Sequence, residues 1–515
     1  MKHLFLIFLF LTLASCKEKT TSINNKEALV EERFRETYRP QYHFTPPTMW
    51  MNDPNGLIYH NGTYHLFYQH YPEDIVWGPM HWGHATSKDL VSWEHKPIAL
   101  YPDELGLIFS GSAVMDTNNT SGLGTKDNPP MVAIFTYHLM EGEKAGRKDF
   151  QTQGIAYSLD EGETWKKYSG NPVIGNEGNI KDFRDPKVMW HDDTQKWVMS
   201  LVAGDHAKFY SSPNLKDWTL MSEFGKNIGA HGGVWECPDL FPLEVEGSDE
   251  TKWVLIISIN PGAPNGGSGT QYFIGDFDGT TFTTNQKEIK WLDYGTDNYA
   301  GVTFNGLPDT ERTFIGWMSN WNYARDTPTE AWRSAMTLSR KLTLHKNKTN
   351  GFYLKNYPIT SLDEYAYATV VHDTMKSGMS LSSKNYNEQR LDFKIPGKLD
   401  DFKLSFTNVN KESLKFGYDS STKNYYLDRR KSGVVSFEQS FGDKVHTAPA
   451  ILDSPTDVAY SIVMDASSIE IFIDGGSTVF TDQIFPTTPF TALTLTSENT
   501  TIVNLKVSKI KRIWK

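Results

Sequence analysis

One short pattern recurs four times in this chain, and it constrains the fold more than any other feature. Ala85-Thr86-Ser87-Lys88-Asp89-Leu90-Val91-Ser92-Trp93 is followed by Ala156-Tyr157-Ser158-Leu159-Asp160-Glu161-Gly162-Glu163-Thr164-Trp165 and by Tyr210-Ser211-Ser212-Pro213-Asn214-Leu215-Lys216-Asp217-Trp218. Gly275-Asp276-Phe277-Asp278-Gly279-Thr280-Thr281-Phe282 is a degenerate fourth copy. Each reads as a strand that enters a polar turn and leaves through an aromatic residue. The copies stand about 50 to 75 residues apart, as hairpins of successive four-stranded blades in a β-propeller would. Residues 62–69, 131–137, 197–203, 253–259 and 312–318 are rich in aromatic and β-branched side chains, and no long apolar stretch of helical period competes with them. The chain is predicted to be all-β.

At 515 residues it is too long for one ordinary core, and its character changes along its length. Residues 41–345 carry the recurring hairpins and read as the propeller, and 345–358 read as a polar join. Residues 360–515 hold short alternating segments such as Tyr460-Ser461-Ile462-Val463-Met464-Asp465, which predict a β-sandwich. Residues 17–40 are charged and polar and predict a solvated tether, with a short helix around 28–37. Ahead of it, Lys2 and His3 precede an apolar run, 4–13, that is too short for a permanent membrane span and is the size of a signal-peptide core. That run ends in Leu13-Ala14-Ser15-Cys16, which resembles a bacterial lipobox and implies cleavage before Cys16 and acylation of it. An ordinary secretory signal with an incidental Cys is the plainer alternative. Several acyl chains make a stable anchor, and Lys17, where an acidic residue would retain the protein at the inner membrane, points to the outer membrane of a bacterial cell envelope, on its periplasmic or surface face.

Composition removes other classes. The net charge is -11, and no basic stripe with interleaved aromatics is present, so nucleic acid is not an expected partner. With Cys16 lipidated, Cys237 stands alone in the mature chain, leaving neither a disulfide nor a cysteine cluster for a metal. His81 and His84 lie three apart in an extended segment, where side chains alternate faces, and make a poor metal pair. Gly266-Gly267-Ser268-Gly269 lacks the Lys and the strand-to-helix context of a phosphate loop. No metal or cofactor is expected.

Three carboxylate-bearing stretches remain. Thr48-Met49-Trp50-Met51-Asn52-Asp53-Pro54-Asn55-Gly56 would be a plain turn if it stood alone. Phe183-Arg184-Asp185-Pro186 and Trp235-Glu236-Cys237-Pro238-Asp239 follow downstream, each again with an acid beside a rigidifying Pro. Three acids presented this way suit chemistry on a sugar. In this order the motifs resemble glycoside hydrolase family 32, the invertases, inulinases and levanases that cleave β-fructofuranosides, and the resemblance covers most of the mature chain. It implies a propeller of five blades, and a following sandwich whose hallmark strands are matched by Tyr425-Tyr426-Leu427-Asp428-Arg429 and by Phe480-Thr481-Asp482-Gln483-Ile484-Phe485-Pro486.

Retaining hydrolysis needs one carboxylate to attack the anomeric carbon and one protonated carboxyl to release the leaving oxygen. Asp53, before a Pro-Asn-Gly turn, is the expected nucleophile. Glu236 is the expected acid/base, since Trp235, Cys237 and Pro238 hydrate it little and desolvation keeps its proton. Cys237 could tune it by a weak S–H contact or be an inert buried thiol. Asp185 fits a third carboxylate gripping ring hydroxyls as the oxocarbenium-like charge develops. Arg184 could be a salt-bridge partner, or could orient Glu236 or bind the sugar, and the resemblance favours the functional roles.

The same resemblance implies substrate contacts from Asn52, Gln69, Trp77, Phe109 and Ser110, and a ring under the bound fructose from Trp332, with Trp317 and Trp321 as alternatives. A fructan of the levan or inulin kind, or sucrose, is the expected substrate, with exo-action on a polymer preferred. A fructosyltransferase would use the same acids, and Trp50, where transferases of the family often differ, favours hydrolysis. A silent fructan-binding lipoprotein would lack an acid, and an arabinan hydrolase would lack the full Trp-Met-Asn-Asp-Pro-Asn-Gly string.

Overall fold

The computed structural model describes residues 34–308, 310–454 and 456–514. The signal segment, Cys16 and the expected tether up to residue 33 lie outside the described residues.

Five separate sheets occupy residues 49–358. The inner strand of each is Met49–His60, Leu107–Met115, Phe183–His191, Val234–Glu244 or Tyr299–Thr303. Each inner strand packs against the next and the last packs against the first, so the five close into a ring and the sheets radiate from it as a propeller. Late residues seal the ring. Trp332–Arg333 runs parallel to the start of Met49–His60, and Asn305 exchanges backbone hydrogen bonds with Leu57 and Tyr59.

The recurring pattern links the third strand of a sheet to the fourth in the first four sheets. Its polar residues replace backbone pairing through the bend. Ser87 Oγ accepts from the amides of Asp89 and Leu90, and Asp89 Oδ1 accepts from Val91 and Ser92. Ser158 with Asp160, and Ser212 with Asn214, do the same in their copies. The residue three places after the first polar one is left-handed in every copy, with φ of 65° at Leu90, 57° at Glu161, 63° at Leu215 and 86° at Gly279. The aromatic residue that ends the pattern then closes it, since the indoles of Trp165 and Trp218 each donate over 3.0 Å to a carbonyl inside the turn. This turn, rather than any single strand, is what repeats.

Two boundaries differ from expectation. Residues 345–358 are not a join, because Arg340–Asn347 and Gly351–Pro358 form the outer hairpin of the fifth sheet. They look polar because the hairpin turn is polar and because Asn356 is a buried polar residue, its amide donating to the Leu292 carbonyl and its oxygen accepting from Arg340. Residues 34–40 are not a solvated tether and carry no helix. Phe34 stacks on Trp514 at 4.5 Å, and Arg39 lies buried over the Trp332 ring, paired with Glu36 at 2.7 Å. Burying those two side chains docks the segment.

The C-terminal part is a sandwich of two six-stranded sheets, Ala366–Met375 to Ile502–Ile510, around a core that includes Phe393, Phe402, Phe416, Tyr425, Tyr460 and Phe480. Ion pairs buried from water join it to the propeller. Arg340 reaches Asp293 at 2.9 Å and Glu470 at 2.7 Å. His43 lies between Asp465 and Glu470, which outweigh its burial and hold its pKa up to about 9. Arg429, from one of the hallmark strands, meets Asp297 at 2.6 Å and donates to the Tyr323 hydroxyl, while its guanidinium lies 3.8 Å from the Phe441 ring centroid. Charges this deep are tolerated only beside opposite charges, so they fix the register of the two domains.

Candidate active site

All five inner strands break register near their N-terminal ends, and each carries one residue more than its partner there. The two unpaired residues are Asn52 and Asp53, Phe109 and Ser110, Asp185 and Pro186, Cys237 and Pro238, and Ala300 and Gly301. A Pro or Gly lies in or just after every one of these bulges: Pro54, Gly111, Pro186, Pro238 and Gly301. Pro cannot donate to the ladder and Gly tolerates the bend, so the sequence ends pairing where the side chains must turn toward the axis. In the last three strands the first unpaired residue is left-handed, at Asp185 (φ 66°), Cys237 (47°) and Ala300 (53°).

The bulges deliver Asp53, Asp185 and Glu236 into one cavity of about 420 Å³. Asp53 accepts from Asn52 Nδ2 at 2.9 Å on one oxygen and from Ser110 Oγ at 2.7 Å on the other. The Trp50 indole donates to Asn52 Oδ1 at 2.7 Å, which fixes the amide that aims at Asp53. Asp185 accepts from the Cys237 amide at 3.0 Å. Glu236 takes Arg184 Nε at 3.1 Å and Nη2 at 3.0 Å on one oxygen and the Tyr299 hydroxyl on the other. Arg184 also grips Asp182 at 2.7 Å and is therefore both a salt-bridge partner and an orienting group for Glu236. Cys237 Sγ lies 3.6 Å from Asp53 and 3.7 Å from Asp185, so its contact is with those two acids and not with Glu236. Burial and the surrounding carboxylates hold its thiol well above the usual range, which keeps it an S–H donor between them.

Burial pushes the Asp185 carboxyl up to about 7, against the pull of Arg184 and with the help of Glu236 and Asp53. Burial also raises Glu236, opposed by Arg184 and reinforced by Asp53. The ligand-free site thus keeps a proton among its acids at neutral pH. This has a consequence for stability. From the ordinary aspartate value of 3.8 up to about 7, folded Asp185 retains a proton that the unfolded chain has released, so its contribution makes the fold less stable as pH rises through that window. Asp185→Asn is expected to flatten this decline in a pH series of melting temperatures, and an unchanged decline would show that the proton resides elsewhere.

The cavity wall includes Asn52, Gln69, Trp77, Phe109, Ser110 and Arg184. Gln69 is oriented by donating to the Ile108 carbonyl at 3.0 Å, and Trp77 meets Phe109 edge-on at 6.0 Å. Trp332 is not on the wall. It is almost fully buried, beneath Arg39, in the strand that seals the ring. Trp317 is buried behind the site, and half-buried Trp321 supplies the ring at the cavity. Residues 320–323 hold it there: the Trp321 amide donates to Ser268 Oγ, Asn320 donates to the Thr296 carbonyl, and the Tyr323 hydroxyl donates to Asp297 at 2.7 Å.

Several wall residues escaped the sequence reading, among them His138, Glu143, Gln151, Asn260 and Arg325, as did Tyr299 behind Glu236. Phe109 stacks on His138 at 4.2 Å. Gln151 accepts from the Phe183 amide with its oxygen, so its nitrogen donates to His138 Nδ1 and leaves His138 Nε2–H for Glu143 at 3.1 Å. Glu143 sits on the short helix Met140–Lys144. Single residues on connecting segments carry no motif, but Gly301 behind Tyr299 repeats the mark seen at the other bulges.

Comparison with known proteins places this geometry. The family model for the glycosyl hydrolases family 32 N-terminal domain matches residues 43–358, and the model for the family's C-terminal part matches 360–510. The chain belongs to glycosyl hydrolase family 32. Within the family, a levanase of Bacillus subtilis is 46% identical over 503 residues, covering 93% of this chain and 72% of its own. An extracellular exo-inulinase of Aspergillus niger is 42% identical over 518 residues, 93% of this chain and 96% of its own. The crystal structure of exo-inulinase from Aspergillus awamori superposes with a TM-score of 0.85 at 40% identity, covering 93% of this chain and all of that one. Like its family, the chain is a glycosidase.

Proposed function

We propose that the chain is a retaining β-fructofuranosidase that removes terminal fructosyl units from fructans of the levan or inulin kind, and accepts sucrose as a smaller substrate. The observation that carries this reading is the meeting of Asp53, Asp185 and Glu236 in one buried cavity, in a chain whose relatives include a levanase and an exo-inulinase. Asp53 attacks the anomeric carbon of the terminal fructosyl unit while Glu236 gives its proton to the departing glycosidic oxygen, leaving a fructosyl ester on Asp53. Water then attacks the same carbon, Glu236 takes its proton, and Asp53 leaves. Hydroxyls donated by the sugar to Asp185 favour its charged form, which leaves the shared proton to Glu236.

Exo-action is supported by the floor of the cavity. Asp239 accepts from the Thr303 amide and hydroxyl and lies 3.4 Å from Lys187, whose ammonium donates to the Thr303 carbonyl. These buried side chains close the inner strands beneath the acids, and the likeness to exo-inulinases supports entry of a chain by its end. Hydrolysis over transfer is supported by Trp50, which holds Asn52 in line with Asp53.

Incubation with levan, inulin and sucrose, followed by chromatography of the products, tests the reading. Fructose alone from a polymer is the expected result. A ladder of oligomers would replace exo- by endo-action, lengthened chains would make the protein a transferase, and intact fructans would end the proposal. The leader supports delivery of this enzyme to the bacterial envelope through a lipid on Cys16.

A further inference from the structure

A second cavity, of about 450 Å³, opens at the opposite ends of the inner strands from the acids. Met115, Met189 to Asp193 and Asn305 to Leu307, at or just past the C-terminal ends of their strands, bound it together with Leu240 and Pro242 from the later half of Val234–Glu244. It shares the axis with the active site, from which Lys187, Asp239 and Thr303 divide it.

Its chemistry is polar and unsatisfied. Trp190 and Trp253 are half-buried, Asp192 and Asp193 are exposed, and among the described residues neither indole N–H and neither carboxylate makes a hydrogen bond within the protein. Beneath them Asp239 is 1% exposed, and while its Oδ2 is fully engaged, its Oδ1 has no partner. A buried carboxylate oxygen without a donor is costly, and the cavity that Asp239 lines is the side from which a donor can approach it. Arg312 also lines the cavity, but three carboxylates outnumber it and an anion would be repelled. A metal cation would be opposed by Lys187, which already neutralises Asp239. A neutral sugar satisfies every group: its hydroxyls donate to carboxylates and accept from indole N–H, and its C–H faces pack on the rings.

We propose that this far-face cavity is a second, non-catalytic binding site for a neutral oligosaccharide, through Trp190, Trp253, Asp192, Asp193 and Asp239. The ligand is a stretch of the same fructan, a choice that rests on the function proposed above. A chain held on the far face keeps the polymer beside the enzyme while another end is trimmed.

The test titrates the full chain carrying Asp53→Ala, which cannot turn over its ligand, with a long fructo-oligosaccharide and counts sites by calorimetry. Two sites per chain are expected. Asp192→Ser with Asp193→Ser should weaken one of them about tenfold through lost charged hydrogen bonds. Trp253→Phe, which keeps the packing and removes the N–H, should weaken the same one. In the wild-type background these variants should keep the full rate on sucrose. One site per chain, in a protein whose wild type cleaves the same oligosaccharide, overturns the proposal and leaves the enzyme's function standing. Two sites that both ignore the substitutions overturn it as well. A wild type that cleaves no fructan defeats the proposed function instead, and with it the ligand named here.

Discussion

Asp53→Ala is expected to lower kcat on sucrose and on fructans by about 10⁴-fold or more, the scale on which loss of a covalent nucleophile is felt. The fold should survive the change. Asp53 lies at the cavity rather than in the core; Asn52 Nδ2 and Ser110 Oγ, which it leaves behind, face the same cavity, where water can replace the carboxylate, and the Cys237 thiol keeps Asp185 as its acceptor. Removing one of three mutually repelling acids also relieves Asp185 and Glu236, both of which feel the charge of Asp53. The melting temperature should therefore be unchanged or slightly raised while turnover disappears, a separation that a merely structural residue would not give. Steady-state rates beside a melting curve decide it. Activity within tenfold of wild type would remove Asp53 from its role, and collapse of the fold would mean that its hydrogen bonds, not its nucleophilicity, are what the chain needs.

The three acids were legible in the sequence because the backbone irregularity that presents them leaves a trace. A Pro one or two places after each acid marks a strand that stops pairing, and the Gly that takes its place at Ser110-Gly111 and Ala300-Gly301 shows that the trace belongs to the architecture rather than to the acids alone. Strand positions were legible for a related reason: each recurring turn is local, built from a Ser or Asp, an acid or amide two places later and one left-handed residue. What could not be read was any placement that depends on the path of a connection. Trp321 and Trp332 lie eleven residues apart in the same aromatic-rich region. Which ring meets the cavity is decided by Ser268, Thr296 and Asp297, which anchor residues 320–323, and by Arg39 from the far N-terminal segment, which covers Trp332. Residues 34–40 and 345–358 misled in the same way. Each holds a polar side chain buried in a partnered position, Arg39 in the first and Asn356 in the second, and composition counts such residues as solvent-facing.

Glu236→Ala should separate substrates by their leaving groups. General acid catalysis contributes about 10²- to 10⁴-fold, and that whole factor is at stake for sucrose and fructans, whose departing alkoxides must be protonated. An activated aryl fructoside, whose leaving group departs without a proton, should lose far less in the fructosylation step. The pH profile should change with it. Burial raises the pKa of Glu236, so the wild type keeps the proton needed by the acid toward neutral pH and loses rate on the alkaline side as Glu236 ionises; that limb should vanish in the variant. Structural failure is not the expected cause of any loss, because Arg184 retains Asp182 at 2.7 Å through Nη1, and its freed Nε and Nη2 and the Tyr299 hydroxyl border the space that Glu236 leaves at the cavity, where water can replace the carboxylate. Equal losses on natural and aryl substrates, with the alkaline limb intact, would assign the proton transfer to another group. Asp185, pushed up to about 7 in the ligand-free site, would be the one to substitute next.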